Sequence, residues 1–298
     1  MTDILYKIRG RILRFLASLF KWRPDSSPYI SGDGLRQAVD RIYDKEIKCT
    51  AEKIREGDIV FVSSDKLDEW FECIHKKIIN PYILLTHNGD ESVDENMSNY
   101  IDEKIIHWFA QNNTFKHDKI TPLPIGIENR RWFMSGWYLI KDIHTLDKKI
   151  TKKNRILYGF NDRTNMGERS LARKNLAETP LADGVDKRAK PRYYFRTLHE
   201  YKFVASPEGN GSDCHRTWEA ILLGVVPIIR NVSHNQLFEQ RDLPVLTIEG
   251  WEKVKDITEN NLEMIYNQKT KKECREIFLK YWVDLISEKK RNYLTTKR

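Results

Sequence analysis

YKFVASPEGNGSDCHRTWEAILLGVVPIIR occupies residues 201–230, and the elements it predicts set the architecture of the whole chain. Lys202 to Ala205 is a short apolar run of strand type that stops at the loop Ser206-Pro207-Glu208-Gly209-Asn210-Gly211. Ser212 or Asp213 then caps a helix with its body at Cys214 to Leu223, Gly224 ends it, and Val225 to Ile229 reads as a buried strand interrupted by Pro227. The unit is strand, glycine loop, helix, strand. At about 100° per residue, Cys214, Trp218, Ile221 and Leu222 fall on one side of the helix and His215, Arg216 and Glu219 on the other.

A glycine loop that runs into a helix N-terminus leaves unpaired backbone N–H groups aimed at one spot, with the positive end of the helix dipole behind them. That spot suits an anion such as a diphosphate. Arg216 is placed to neutralise phosphate charge, and Glu219, one turn on, to accept hydrogen bonds from the two hydroxyls of a ribose. The bland alternative is a tight turn with an exposed Arg216–Glu219 ion pair.

The order Pro207-x-Gly209-x-Gly211, Arg216, Trp218-Glu219-Ala220 and Gly224-Val225-Val226-Pro227-Ile228 resembles the donor-binding segment of exostosin-like glycosyltransferases. It is more weakly similar to the α1,3-fucosyltransferases, which also place a Glu, a glycine or asparagine loop and a basic residue before such a helix. The likeness covers about thirty residues and departs at Glu208, where exostosin-like sequences commonly carry Arg. It implies two Rossmann-like domains facing each other, the architecture called GT-B, and an inverting transfer from a UDP-sugar.

The remainder of the chain agrees with an α/β plan. Asp58 to Ser63, Tyr82 to Thr86, Ile105 to Ala110 and Ile120 to Ile125 are strand candidates, with helical stretches at Leu35 to Lys48 and Leu67 to Ile79. Such alternation predicts parallel sheets, whose ligands lie beyond the C-terminal ends of the strands. The loops expected there are polar: Thr86 to Glu91, Gln111 to Asn113 and Gly126 to Arg131. His87 and Asp90 are the candidates for the base that activates a sugar hydroxyl, and Asn129 and Arg130 for the acceptor side.

Arg155 to Phe160 reads as a further strand, and Gly167 to Glu178 as a helix; between them Asn161, Arg163 and Thr164 are within reach of the same phosphates. The expected donor set is therefore Asn161, Arg163, Thr164, Glu208, Gly209, Gly211, His215, Arg216 and Glu219. Val245 to Ile248 gives a last strand, Trp251 to Gln268 helical material, and Lys271 to Tyr293 a long helix with Ile277, Phe278, Tyr281, Trp282 and Leu285 on its apolar face.

The expected layout is an amphipathic helix over 1–23, an acceptor domain over 24–150, a nucleotide-sugar domain over 151–268 and a basic helix over 269–298. At 298 residues, with 40% apolar and 32% charged, the chain is large enough for two cores. Its net charge of +8 sits at the ends. Residues 1–23 hold six basic and one acidic residue and 269–298 hold ten and four, so the ends carry +11 and the middle −3. A basic stripe over a folded domain would mark a nucleic-acid binder; basic ends do not.

In residues 3–22, Ile4, Leu5, Ile8, Ile12, Phe15, Leu16 and Leu19 share one face, and Lys7, Arg11 and Arg14 the opposite one. This pattern predicts a helix lying on an anionic membrane surface; docking on the protein itself and an organellar transit peptide are the alternatives. Trp22 to Gly34 reads as a linker.

Four scattered cysteines without a C-x-x-C pair suit a reducing, cytoplasmic setting. The chain has no D-x-D, so no metal ion is expected to hold the diphosphate, and no cofactor beyond the nucleotide-sugar donor. The expected acceptor is a glycan or lipid-linked glycan. A GDP-fucose enzyme and a non-catalytic membrane or nucleic-acid scaffold are the competing functions.

Overall fold

The computed structural model describes residues 23–132, 135–146, 150–185, 189–231 and 236–296, together with positions 8, 11, 12, 15, 16 and 18–20. Two five-stranded sheets form, with every strand pairing parallel. The first runs in the order β1 (Arg41–Tyr43), β2 (Ile59–Ser63), β3 (Tyr82–His87), β4 (Ile105–Gln111), β5 (Ile120–Leu123). The second has β6 (Lys153–Tyr158), β7 (Ala182–Gly184), β8 (Tyr201–Ala205), β9 (Val226–Arg230) and β10 (Leu246–Ile248) in the order β10-β9-β8-β6-β7.

Strand periodicity explains the layering. Val60 and Val62 of β2 face an outer core with Trp70, Leu84 and Trp108, while Ile59 and Phe61 face inward. The inner faces of both sheets share one cluster, in which Phe61, Leu85 and Phe109 join Val204, Trp218 and Trp282. Phe203, Val226 and Ile228 face a third cluster on the far side of the second sheet, with Trp251. Strands covered on both faces read as continuous apolar runs, which is why β2, β3 and β4 were legible.

Among the described residues the α-helices of five residues or more are α1 (Gly32–Gln37), α2 (Ser135–Asp142), α3 (Met166–Ala177), α4 (Pro191–His199), α5 (His215–Leu222), α6 (Gln236–Gln240), α7 (Glu259–Lys269) and α8 (Leu279–Thr296); a further helical stretch opens at Leu67–Glu69 and continues as a π-helix over Trp70–Ile74. All strands of the second sheet point the same way, but the order of connection switches at β6, with β7 added on one side and β8 on the other, so the loops leaving β6 and β8 diverge and open a crevice between them.

Three expectations are corrected. The helix predicted from Leu35 ends at Gln37, and Arg41–Tyr43 becomes an edge strand paired with Val60 to Val62, a case of tertiary pairing overriding local propensity. The long C-terminal helix begins at Leu279 after a single 3-10 turn at Arg275–Ile277. The described part of the predicted linker is packed: Ile30 is fully buried, its N–H donates to Ile277 O at 2.9 Å, and Leu279 N donates to Pro28 O at 2.9 Å. Arg23 is buried too, paired with Asp33 at 3.1 Å, Asp44 at 3.3 Å and Glu46 at 2.9 Å. Proline and serine signalled turns here, not looseness.

Much of the predicted amphipathic helix, including Ile4, Leu5, Lys7, Arg9 and Arg14, lies outside the described residues. Of its apolar face, Ile8, Ile12, Phe15, Leu16 and Leu19 are between 37% and 67% exposed. No helix among the described residues is long and apolar enough to cross a membrane.

Candidate active site

A cleft of about 490 Å³ lies where the C-terminal ends of the two sheets meet. Asp90, Asn112 and Glu128 line it from the loops after β3, β4 and β5; Asn161 and Thr164 from the turn after β6; and Gly209, Gly211, His215, Arg216 and Glu219 from the glycine loop and α5.

The wall of the cleft expected to hold the donor carries two guanidinium groups. Arg216 rests over the Phe160 ring with 5.6 Å to its centroid, and its Nη2 reaches Gly159 O at 3.4 Å. Its Nε and Nη1 are buried and meet no hydrogen-bond partner. Arg169 approaches from α3, donating to Glu208 O at 2.7 Å and to Asn161 O at 2.8 Å. Burial first, and then the neighbouring Arg216 charge, push the Arg169 pKa down. Two cations held together away from water are a receptor for an anion with several oxygens.

Glu219 is 4% exposed. Burial, and next the Glu128 carboxylate, push its acid up to about 8 against the pull of Arg216. The shift favours the protonated acid, a form that can both donate to and accept from a diol.

The glycine loop also forms the seam between the two sheets. Asp213 is buried, and its carboxylate accepts from Ile125 N at 2.8 Å across the seam, and from Cys214 N and Trp218 Nε1 at 2.8 Å each. Desolvation raises its pKa to about 6 in spite of these donors. His215 Nδ1 donates to Gly126 O at 2.8 Å, and Asn210 Nδ2 to Asp90 Oδ2 at 2.9 Å. A Cβ on Gly211 would stand 2.7 Å from Asn112 Nδ2, so glycine is what permits this approach.

Of the predicted donor set, Asn161, Thr164, Gly209, Gly211, His215, Arg216 and Glu219 line the cleft. Arg163 is exposed and is not in its wall. The Glu208 side chain turns into a separate small pocket, with Arg230 Nη2 3.7 Å away. Asp90 lines the cleft, whereas His87 does not.

His87 is 1% exposed, on the side of β3 that carries Ile83 and Leu85 into the shared core. Its Nδ1 accepts from Asn88 N at 2.7 Å and its Nε2 donates to Pro124 O at 2.9 Å, which occupies both nitrogens. Burial pushes its pKa down to about 4. His87 is thus placed as a core histidine, with both ring nitrogens hydrogen-bonded away from the cleft. Asn129 accepts from Asp33 N at 2.7 Å and donates to Asn88 Oδ1 at 2.8 Å, and Arg130 Nη1 donates to Asp25 O at 3.3 Å. These two tie their loop to the N-terminal segment and do not line the cleft.

Sequence reasoning missed Arg169. The signal was present: it shares the buried face of α3 with Ala172 and Leu176, where a cation needs a reason to be. No three His, Cys, Asp or Glu side chains cluster as a metal site among the described residues.

Comparison with known proteins places these observations. Residues 176–296, which include the glycine loop and α5, match the profile of the RXYLT1 C-terminal domain. No curated protein matches in sequence. An α,α-trehalose-phosphate synthase (UDP-forming) from Burkholderia vietnamiensis superposes with a TM-score of 0.51 at 9% identity, over 82% of this chain and 76% of that one. The α,α-trehalose 6-phosphate synthase of Burkholderia multivorans gives 0.48 at 9% identity, over 83% and 74%. An α1,3-fucosyltransferase gives 0.40 at 9% identity, over 89% and 95%. The two-sheet fold is that of the GT-B glycosyltransferases.

Proposed function

We propose that this chain, whose residues 176–296 match the RXYLT1 C-terminal domain and whose two sheets adopt the GT-B fold, transfers a sugar from a nucleotide-sugar to a hydroxyl of a glycan or lipid-linked glycan. The observation that carries this reading is the half-buried Arg216 guanidinium at the mouth of the glycine loop, beside Arg169 and the Tyr194 hydroxyl, with its Nε and Nη1 turned away from solvent. A diphosphate supplies the missing oxygens. Glu219, one turn deeper, supports recognition of the ribose.

UDP is the proposed nucleotide, on the strength of the exostosin-like motif, and GDP-fucose the alternative. The proposed reaction is a single displacement with inversion. Leaving-group charge is met by the two guanidinium groups and the α5 N-terminus, which together can serve where other transferases use a metal ion. The proposed setting is glycoconjugate or cell-surface polysaccharide synthesis at the cytoplasmic side of a membrane.

A melting panel with UDP, GDP, CMP and their sugars tests the central claim. A ligand at a hundred times its dissociation constant stabilises the native state by about 2.7 kcal/mol, a rise of several degrees. One nucleotide is expected to stand out. No shift with any of them at millimolar concentration refutes the nucleotide cradle and leaves the scaffold reading.

The membrane proposal rests on the five basic residues Lys7, Arg9, Arg11, Arg14 and Lys21, which alternate in the sequence with apolar residues of which Ile8, Ile12, Phe15, Leu16 and Leu19 are exposed; Arg23 is consumed by its buried ion pairs. Each basic residue near an anionic surface contributes on the order of 1 kcal/mol. The protein is expected to sediment with anionic vesicles and scarcely with neutral ones, and to lose most of this when residues 1–22 are removed. Equal sedimentation with and without them would refute the anchor.

A further inference from the structure

We propose that His215 is the general base that takes the proton from the acceptor hydroxyl, an assignment that rests on the transferase reading above. A carbonyl oxygen can only accept, so the 2.8 Å contact between His215 Nδ1 and Gly126 O places the ring proton on Nδ1. In the neutral ring Nε2 is then a lone pair, and the residue stands in the cleft wall at the first position of α5. A base held by a backbone carbonyl through its other nitrogen is oriented without being charged.

The carbonyl is itself fixed. Gly126 forms a bridge with Ser31, and Ile127 N donates to Ile30 O at 2.9 Å. Base and holder thus come from opposite sides of the seam, and the orientation exists only while the two sheets are together.

The competing groups in the cleft are less suited. The Asp213 carboxylate already accepts from three donors. Glu219 is 4% exposed, and on this reading it serves the ribose. Asp90 carries the Asn210 amide on one oxygen. Asp90 and Glu128 remain as rivals for the test to separate.

The step balances. The acceptor O–H proton moves to Nε2, giving an imidazolium, while the oxygen lone pair forms the bond to the anomeric carbon. The bond from that carbon to the diphosphate oxygen breaks and its electron pair leaves on the diphosphate, which Arg216 and Arg169 face. The imidazolium then returns its proton to water.

The test uses the whole chain and whichever of UDP-glucose, UDP-N-acetylglucosamine, UDP-xylose and GDP-fucose shifts its melting most. Nucleotide release is followed with water or a soluble glycan as acceptor. His215→Asn keeps an N–H donor for Gly126 O but has no second nitrogen. It is expected to lower turnover by about 10² to 10⁴ while the nucleotide-induced melting shift stays. His215→Ala should fall similarly and recover in part with added imidazole, which a merely structural role would not allow.

Turnover within about threefold of wild type in both variants overturns the assignment. So does an Asp90→Asn or Glu128→Gln variant that alone falls about 10² or more while His215→Ala shows no imidazole rescue. Wild-type protein that shifts with none of the four donors overturns the parent reading, and the assignment falls with it.

Discussion

Gly126→Ala is expected to destabilise the protein by about 2 to 5 kcal/mol, the sum of a left-handed backbone forced on a residue with a side chain and of overpacking in a rigid place. Gly126 has φ of +71°, and a Cβ built there stands 2.3 Å from Ile30 O and 2.7 Å from the Ile30 carbonyl carbon. Both neighbours are backbone, so neither can swing away. The sign matters, because glycine to alanine at a compatible position usually stabilises by about 0.4 to 1 kcal/mol through the unfolded state.

Gly167, near the start of α3 with nothing within 4 Å of its Cβ position, is the matched control and is expected to show that gain. Urea denaturation of the two variants gives the comparison. A Gly126→Ala variant within about 0.5 kcal/mol of wild type would mean that the Ser31–Gly126 bridge is not a rigid part of the native state.

Arg216→Ala is expected to weaken binding of the preferred nucleotide diphosphate by about 1.5 to 3 kcal/mol, the range for a charge-assisted hydrogen bond. In the free protein the same change removes a half-buried cation from beside Arg169, whose pKa that cation helps to depress. The melting temperature without ligand should therefore hold or rise while affinity falls. This pairing is what a group retained for binding at some cost in stability would give. Arg216→Lys keeps the charge without the planar fork, and an intermediate loss is expected. Unchanged affinity for every nucleotide in a folded Arg216→Ala variant would remove the diphosphate from α5.

The cleft wall formed by the glycine loop and α5 was legible because its signal is local. Helix periodicity alone separated His215, Arg216 and Glu219 from Trp218, and all three stand in the cleft wall. The first sheet's contribution was not, since a loop side chain takes its direction from what packs on it. Alternation along Ile83, Leu85 and His87 would have placed that histidine inward, had strand parity been weighed above residue type.

The two short edge strands escaped for a related reason. Arg41-Ile42-Tyr43 and Ala182-Asp183-Gly184 are three residues each and mix charge with apolar character. Only a neighbouring strand gives them their state. Asp213 was weighed as a cap, but its partner Ile125 is 88 residues away, beyond any periodicity argument.

The interlacing of the chain ends has a consequence for recombining this protein with its relatives. Residues 28–30 are stitched to 277–279, and α8 then runs back to the first sheet's side, where Lys290 meets Asp40 at 2.7 Å and Tyr293 meets Glu56 at 2.9 Å. The cut suggested by two sheets, between residues 146 and 150, would therefore sever a module from the strap that buckles it. A chimera that exchanges the nucleotide-binding portion must inherit the terminal helix from the same parent as the first sheet, or else rebuild that buckle residue by residue.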